Sequence, residues 1–127
     1  MSLNWAEVRN HNKMKNCIFC KIIKKEIPAK IHYEDKDIIV IKDANPKAPI
    51  HLLIIPKIHF KSLNEIKSKN QKLLGKLLLT AQKISRKEKF DQNGYKIIIN
   101  TGENAGQSVE HLHLHLLSGD YKKSGQI

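Results

Sequence analysis

The segment Gly106-Gln107-Ser108-Val109-Glu110-His111-Leu112-His113-Leu114-His115-Leu116-Leu117 decides the reading of this chain. Two residue types alternating at period two mark a strand, whose side chains point to opposite faces in turn. Residues 109–117 therefore read as the last strand. His111, His113 and His115 share one face, and Leu112, Leu114 and Leu116 share the other, which must be core. A slip of one residue would bury three imidazoles and expose three leucines, so the leucines fix the register. A single strand histidine is ordinarily a satisfied polar group. Three at i, i+2 and i+4, directly behind a glycine-bearing loop, demand chemistry.

Same-face residues on a strand lie ~6.6–6.8 Å apart, which puts the outer two imidazoles ~13 Å apart. One metal ion does not take all three. Two readings stay open on the residues alone. One is a metal-binding strand. The other is nucleophilic attack at phosphorus, where a neutral imidazole nitrogen attacks while an acceptor holds the second ring nitrogen and fixes the tautomer. A neighbouring imidazole, the Ser108 hydroxyl and backbone N–H groups of the 102–108 loop would then hold the phosphate oxygens.

Outward from this strand, residues 95–100 are β-rich and read as a strand, with a Gly102/Gly106 loop between the two. Leu73, Leu74, Leu77, Leu78, Ala81 and Ile84 recur at helical spacing opposite Lys69, Lys72, Lys76, Lys83 and Lys87, which predicts one long helix over about 69–89. Ser62 and Glu65 match a capping box and predict a short helix over 62–67. Residues 52–55, bounded by His51 and Pro56, form a short apolar run read as a buried strand. Residues 31–34 and 38–42 flank an Asp35-Lys36-Asp37 turn and predict a hairpin. Ile18, Phe19, Ile22 and Ile23 sit at helical spacing, and Pro28 ends that short segment. Five strands and one long helix give an α+β fold with an antiparallel sheet.

The chain has 127 residues, enough for one domain. Residues 1–13 show no period and read as an N-terminal extension or a cloning remnant, leaving 14–127 as the domain. No apolar run approaches the ~20 residues of a membrane span, and no signal peptide is evident, so a cytoplasmic protein without membrane contact is expected. The net charge is +11, yet only Arg9 and Arg86 of the 23 basic residues are arginine, and aromatics are 6%. Nucleic-acid readers lean on arginine forks and aromatic stacking, so a nucleic-acid partner is not expected. Cys17 and Cys20 form a C-x-x-C pair. A cytosolic disulfide is disfavoured, a redox pair lacks the preceding strand, and half of a zinc site would need two ligands from elsewhere.

Four segments together resemble the histidine-triad (HIT) family, of the Hint-like branch: CIFCKIIKKEIPAK (17–30), YED (33–35), DANPKAPIHLLIIPKIHF (43–60) and NTGENAGQSVEHLHLHLLSG (100–119). The resemblance covers about residues 14–119. It implies a homodimer whose sheet is extended by dimerisation, with the long helix and strand 95–100 at the interface. It implies a hydrolase of purine nucleoside 5′-phosphoramidates or related nucleotidyl esters, acting through a nucleotidyl-histidine. His113 matches the nucleophile, His115 the phosphate-binding histidine, Ser108 the residue near the leaving group, and His51 a histidine supporting the nucleophile's surroundings. Asp43 matches the acid that takes the ribose hydroxyls, Ile18, Phe19, Ile22 and Ile41 the purine slot, and Asn100 with the amides near Gly106 and Gln107 the phosphate loop. Cys17, Cys20, His59 and His111 match the structural zinc ligands of some bacterial members. No organic cofactor is implied. A dinucleoside polyphosphate hydrolase and a nucleotide-binding regulatory module are the rival functions. The Gly-Gln-Ser-Val run favours the phosphoramidase over the former.

Overall fold

A computed structural model describes residues 16–119. The proposed extension at 1–13, Trp5 within it, and the tail at 120–127 lie outside the described residues. The elements in chain order are α1 (Ile18–Ile23), β1 (Ile31–Glu34), β2 (Ile38–Lys42), β3 (Ile50–Pro56), α2 (Gln71–Lys87), β4 (Lys96–Ile98) and β5 (Leu114–Ser118). One antiparallel sheet has the order β1-β2-β3-β5-β4, so β1 and β4 are its two edges.

The two hydrophobic clusters explain why residues 38–41 of β2 and 52–55 of β3 are continuously apolar rather than alternating. Ile38 and Val40, with Leu52 and Ile54, pack against Leu77, Ala81 and Ile84 of α2. Ile39 and Ile41, with Leu53 and Ile55, pack against Phe19 and Ile22 of α1. Each face of the sheet is covered, so both residue sets leave water. Leu112, Leu114 and Leu116 join the α2 cluster, as the register argument requires.

The last strand is shorter than the alternation suggests. It begins at Leu114, not Val109, because its neighbour β3 ends at Pro56. Ile54 stands opposite Leu114, so continuing the ladder would set Leu112 opposite a residue without an N–H. The Leu112 N–H instead donates to the Phe60 carbonyl at 2.7 Å. Alternation survives without the ladder: Leu112 is in the core and His111 and His113 face the other way, against Phe19. Strand β4 is likewise three residues long, with Asn100 in the following loop.

The capping box forms in altered shape. Ser62 Oγ accepts from the Asn64 N–H at 3.1 Å, but the Glu65 carboxylate takes the Lys61 N–H rather than that of Ser62. Ile66 then turns extended, so the segment stops at a single 3-10 turn over Leu63–Glu65 instead of a helix over 62–67. The long helix occupies Gln71–Lys87.

Candidate active site

The His113 ring is buried and its Nδ1 lies 2.7 Å from the His111 carbonyl oxygen. A carbonyl only accepts, so Nδ1 carries the proton and Nε2 keeps its lone pair. The main chain of the residue two positions back thus sets the tautomer of the central histidine. Phe19 meets this ring edge-on, with centroids 5.1 Å apart.

A second chain of bonds sets His115. The Lys47 N–H donates to His51 Nδ1 at 3.0 Å, which leaves the proton of neutral His51 on Nε2. That Nε2–H faces His115 Nδ1 at 2.9 Å. His115 Nδ1 therefore accepts, and its own proton sits on Nε2 as a donor. Neighbouring rings end up with opposite tautomers: His113 offers a lone pair at Nε2 and His115 offers a proton at Nε2. Their centroids are 5.0 Å apart. Asp43 adds a carboxylate, with Oδ2 3.4 Å from His51 Nε2 and Oδ1 accepting from the Asn45 N–H at 2.7 Å.

Burial keeps these rings neutral. The pKa of His115 is pushed down to about 4, by loss of solvent first and then by the neighbouring His113 and His51. Burial also lowers His51, opposed by Asp43, and lowers His113, opposed by its bond to the His111 carbonyl.

His111 points to a different place. Its Nε2–H donates to the Pro56 carbonyl at 2.8 Å, which turns Nδ1 toward Cys17 Sγ at 3.3 Å, Cys20 Sγ at 3.6 Å and His59 Nδ1 at 3.1 Å. Cys20 Sγ is also 3.3 Å from His59 Nδ1. A tetrahedral zinc site with bonds of ~2.0–2.3 Å has donor–donor edges of roughly 3.3–3.8 Å. Those four distances already stand near such edges and all four donors lie within 4.8 Å of one another, and the Pro56 carbonyl supplies the outer hydrogen bond that orients a ligating histidine. Burial, and then a hydrogen bond with Cys17, push the Cys20 thiol up to about 12 when no cation is present.

Asp43, His51 and His115 also bring three donor atoms within 4.8 Å of one another. This group does not fit a metal. The second nitrogen of His51 faces a donor, the Lys47 N–H, so the nitrogen turned toward the cluster holds a proton. A ligating histidine needs the reverse arrangement.

The remaining predicted residues scatter around this centre. Phe19, Ile22 and Ile41 are buried in the α1 cluster, whereas Ile18 is 47% exposed on the same helix. Asn100 Nδ2 donates to the Ala105 carbonyl at 2.8 Å, within the glycine loop. Gly106 and Gln107 give their own N–H groups to the Glu103 and Gly102 carbonyls, so the loop amides expected to hold phosphate are already bonded. The Gln107 side chain ties the loop down instead, accepting from the Gly102 N–H and donating to the Lys61 and Val109 carbonyls. Ser108 is exposed at the end of this loop. Among the described residues, no hydrogen bond joins Asn100, Gly106 or Ser108 to the imidazoles. Sequence reading missed three backbone groups that set the site: the Lys47 N–H and the Pro56 and His111 carbonyls. Backbone atoms carry no residue signature, so nothing in the sequence could have marked them.

Comparison with known proteins agrees with this geometry. Residues 16–127 match the family model described as "Scavenger mRNA decapping enzyme C-term binding". A purine nucleoside phosphoramidase of Escherichia coli strain K12 is 41% identical over 102 residues, covering 80% of this chain and 86% of that protein. A 14 kDa zinc-binding protein of Zea mays is 43% identical over 104 residues, covering 80% of each. The solved structure of a HIT family hydrolase from Clostridium thermocellum superposes with a TM-score of 0.80 at 48% identity, covering 84% of this chain and 92% of that one. With fold, histidine arrangement and relatives in agreement, the chain belongs to the histidine-triad family of hydrolases.

Proposed function

We propose that the chain hydrolyses purine nucleoside 5′-phosphoramidates, or related nucleotidyl esters, through a covalent nucleotidyl-His113. The observation that carries this reading is the pair of opposed tautomers. His113 Nε2, unprotonated because Nδ1–H is held by the His111 carbonyl, attacks the α-phosphorus. The P–N bond to the leaving amine breaks, and the amine departs with its electron pair and takes up a proton from solvent, which the water of the second step returns. Water then attacks the same phosphorus, His113 Nε2 recovers its lone pair, and a nucleoside monophosphate is released. His115 Nε2–H donates to a non-bridging oxygen, whose negative charge grows in each transition state. The Escherichia coli relative is named for this activity.

Ribose falls to Asp43. Its carboxylate retains lone pairs beyond the Asn45 and His51 contacts, enough to accept from two hydroxyls. The base lies against Ile18 and Phe19, with Ile22 and Ile41 packed behind them. Asn100 and the 106–107 turn shape the phosphate side, and Ser108 stands toward the leaving group. Since the N–H groups of Gly106 and Gln107 are engaged, this loop either rearranges on binding or acts through side chains.

Cys17, Cys20, His59 and His111 would hold zinc as a closed Cys2His2 set, and the ion would clamp α1 to the segment leading into β5. A closed set leaves no position for substrate, so its contribution is structural. The Zea mays relative supports this reading by its name. We further propose a homodimer in which the sheet continues through β4; β4 is one of the two edges of the sheet, and Leu78 is 43% exposed on the long helix. Among the described residues no helix is long and apolar enough to cross a membrane, and the working location is the cytoplasm.

Intact mass spectrometry of protein quenched during turnover of an adenosine phosphoramidate tests this. A covalent adenylyl adduct on the peptide containing His113 is expected. Turnover without any adduct would remove the covalent route, and tight nucleotide binding without turnover would favour a regulatory module.

A further inference from the structure

Helix α2 carries a stripe of lysines, Lys72, Lys76, Lys83 and Lys87, along a groove that separates it from the edge strand β1. The groove is partly open to solvent and has a volume of about 470 Å³, inside the roughly 300–1,000 Å³ range of small-molecule sites. It lies on the α2 face of the sheet, away from the histidines, and at the edge opposite β4. Neither the hydrolytic site nor the proposed dimer face uses it.

Its charges are unbalanced. Lys76 is engaged by Asp35 at 3.2 Å and Asp37 at 2.9 Å. Asp35, the acid lining the cavity, also accepts from Tyr33 and from two backbone N–H groups. Among the described residues, no carboxylate stands within ion-pair distance of Lys72, Lys83 or Lys87. Lys83 and Lys87 are four apart on one helix face, where like charges repel. An anion at that end of the groove would relieve this repulsion.

Its walls are apolar and its polar groups are satisfied internally. Leu79 is 51% exposed and Tyr33 42% exposed. The Thr80 hydroxyl donates to the Lys76 carbonyl at 2.7 Å and the Tyr33 hydroxyl to Asp35. Both hydroxyl protons are thus committed within the chain, and what the groove offers a ligand is apolar surface and lysine ammonium groups.

Gly75 is the independent clue. It sits in the middle of α2 and lines the groove, and a Cβ added there would meet no atom within 4 Å beyond its neighbouring residues and its own helix backbone. A mid-helix glycine costs about 1 kcal/mol relative to alanine. Packing within the chain does not require this one, and what it provides is room in the groove.

We propose that this groove binds a free medium-chain fatty carboxylate. The acyl chain lies along Gly75, Leu79 and Tyr33, and the carboxylate sits between the Lys83 and Lys87 ammonium groups. The head belongs at that end because Asp35 and Asp37 surround Lys76 at the other. Lysine acts as a point charge without a fork for bidentate recognition, so a simple carboxylate suffices. The helical rise sets about 12 Å between Gly75 and Lys83, the reach of a medium acyl chain.

The test is titration of isotope-labelled full-length protein with decanoate below its micellar concentration, followed by two-dimensional NMR. Saturable one-site shifts at Tyr33, Gly75, Leu79 and Thr80 are expected, with none of comparable size for decyltrimethylammonium. Gly75→Leu should raise the melting temperature, because leucine is the better helix former, and abolish binding; loss in a more stable variant is not unfolding. Lys83→Gln with Lys87→Gln should weaken decanoate at least tenfold. All these variants should keep normal nucleotide turnover. Shifts spread over the surface, equal binding of the cationic amphiphile, or undiminished binding by Gly75→Leu would each overturn the proposal.

Discussion

His51 Nε2 stands 2.9 Å from His115 Nδ1, and the proton between them belongs to His51. The assignment follows from the Lys47 N–H, which occupies the other nitrogen of His51. His51 therefore acts on His115, the phosphate donor of the proposed function, and not directly on His113. It is a positioning residue: its role is to keep the His115 proton on Nε2.

This relationship gives the first prediction. His51→Leu removes the donor and frees the His115 tautomer, so kcat should fall by up to about 10²-fold. His51→Gln retains an N–H that reaches His115 Nδ1 and should restore much of the loss. Rates of adduct formation in single turnovers measure both. Equal activity of His51→Leu and the unsubstituted protein would refute the relay.

The proposed nucleophile gives a sharper contrast. His113→Asn removes the attacking atom and should lower turnover by several orders of magnitude. It should leave fold and nucleotide affinity nearly intact, since Asp43 and His115 remain. His115→Asn removes one stabilising donor and should cost about 10²–10³-fold. Steady-state kinetics beside nucleotide titration distinguish the two, and the reverse ranking would exchange their roles.

The legible part of this site was the part written in side chains. Period-two alternation placed Leu112 in the core and His113 against the opposite face, even though the ladder starts only at Leu114. The strand's true start depended on Pro56 in its neighbour, and the pairing of β3 with β5 is a long-range fact that the local pattern does not contain. Cys17, Cys20, His59 and His111 were grouped by resemblance alone; their donor atoms converge because His111 bonds Pro56, again a backbone partner. Gln107 illustrates the limit of motif matching. The resemblance implies a phosphate contact for the amides near it and says nothing of its side chain, which holds the loop to the Lys61 and Val109 carbonyls.

Zinc should behave as a clamp. Protein prepared without chelators should carry about one zinc per chain, measured by atomic emission. Cys17→Ser should lose the metal and much of its stability, while activity per folded molecule falls far less. Well-folded protein without zinc would count against the assignment.

Helices α1 and α2 each end on a lysine in the left-handed region: Lys25 with φ 64° and Lys89 with φ 66°. At each end the two closing bonds are made, Glu26 N–H to Lys21 and Lys25 N–H to Ile22, and Phe90 N–H to Ser85 and Lys89 N–H to Arg86. Glycine suits this position better than any residue with a Cβ. Lys89→Gly should stabilise the fold by about 1 kcal/mol. Urea denaturation would show it as a higher midpoint with an unchanged slope.

The last prediction concerns acid. A free histidine titrates near pH 6.5, whereas burial and its neighbours push His115 down to about 4. Between those values the unfolded chain binds a proton at this residue and the folded chain does not. Stability therefore rises with pH across that window, because the unfolded state holds more protons. The contribution of His115 is complete above about pH 6.5, is lost as pH falls toward 4, and changes no further below that. His115→Gln keeps an acceptor for the His51 proton but has nothing to titrate. Its unfolding free energy should therefore fall less steeply between pH 6.5 and 4 than that of the unsubstituted protein. Both proteins retain the cysteine–histidine cluster, so any acid loss of zinc cancels in the comparison. Urea denaturation at half-unit steps of pH measures the two slopes, and identical slopes would mean that His115 does not resist protonation in the folded chain.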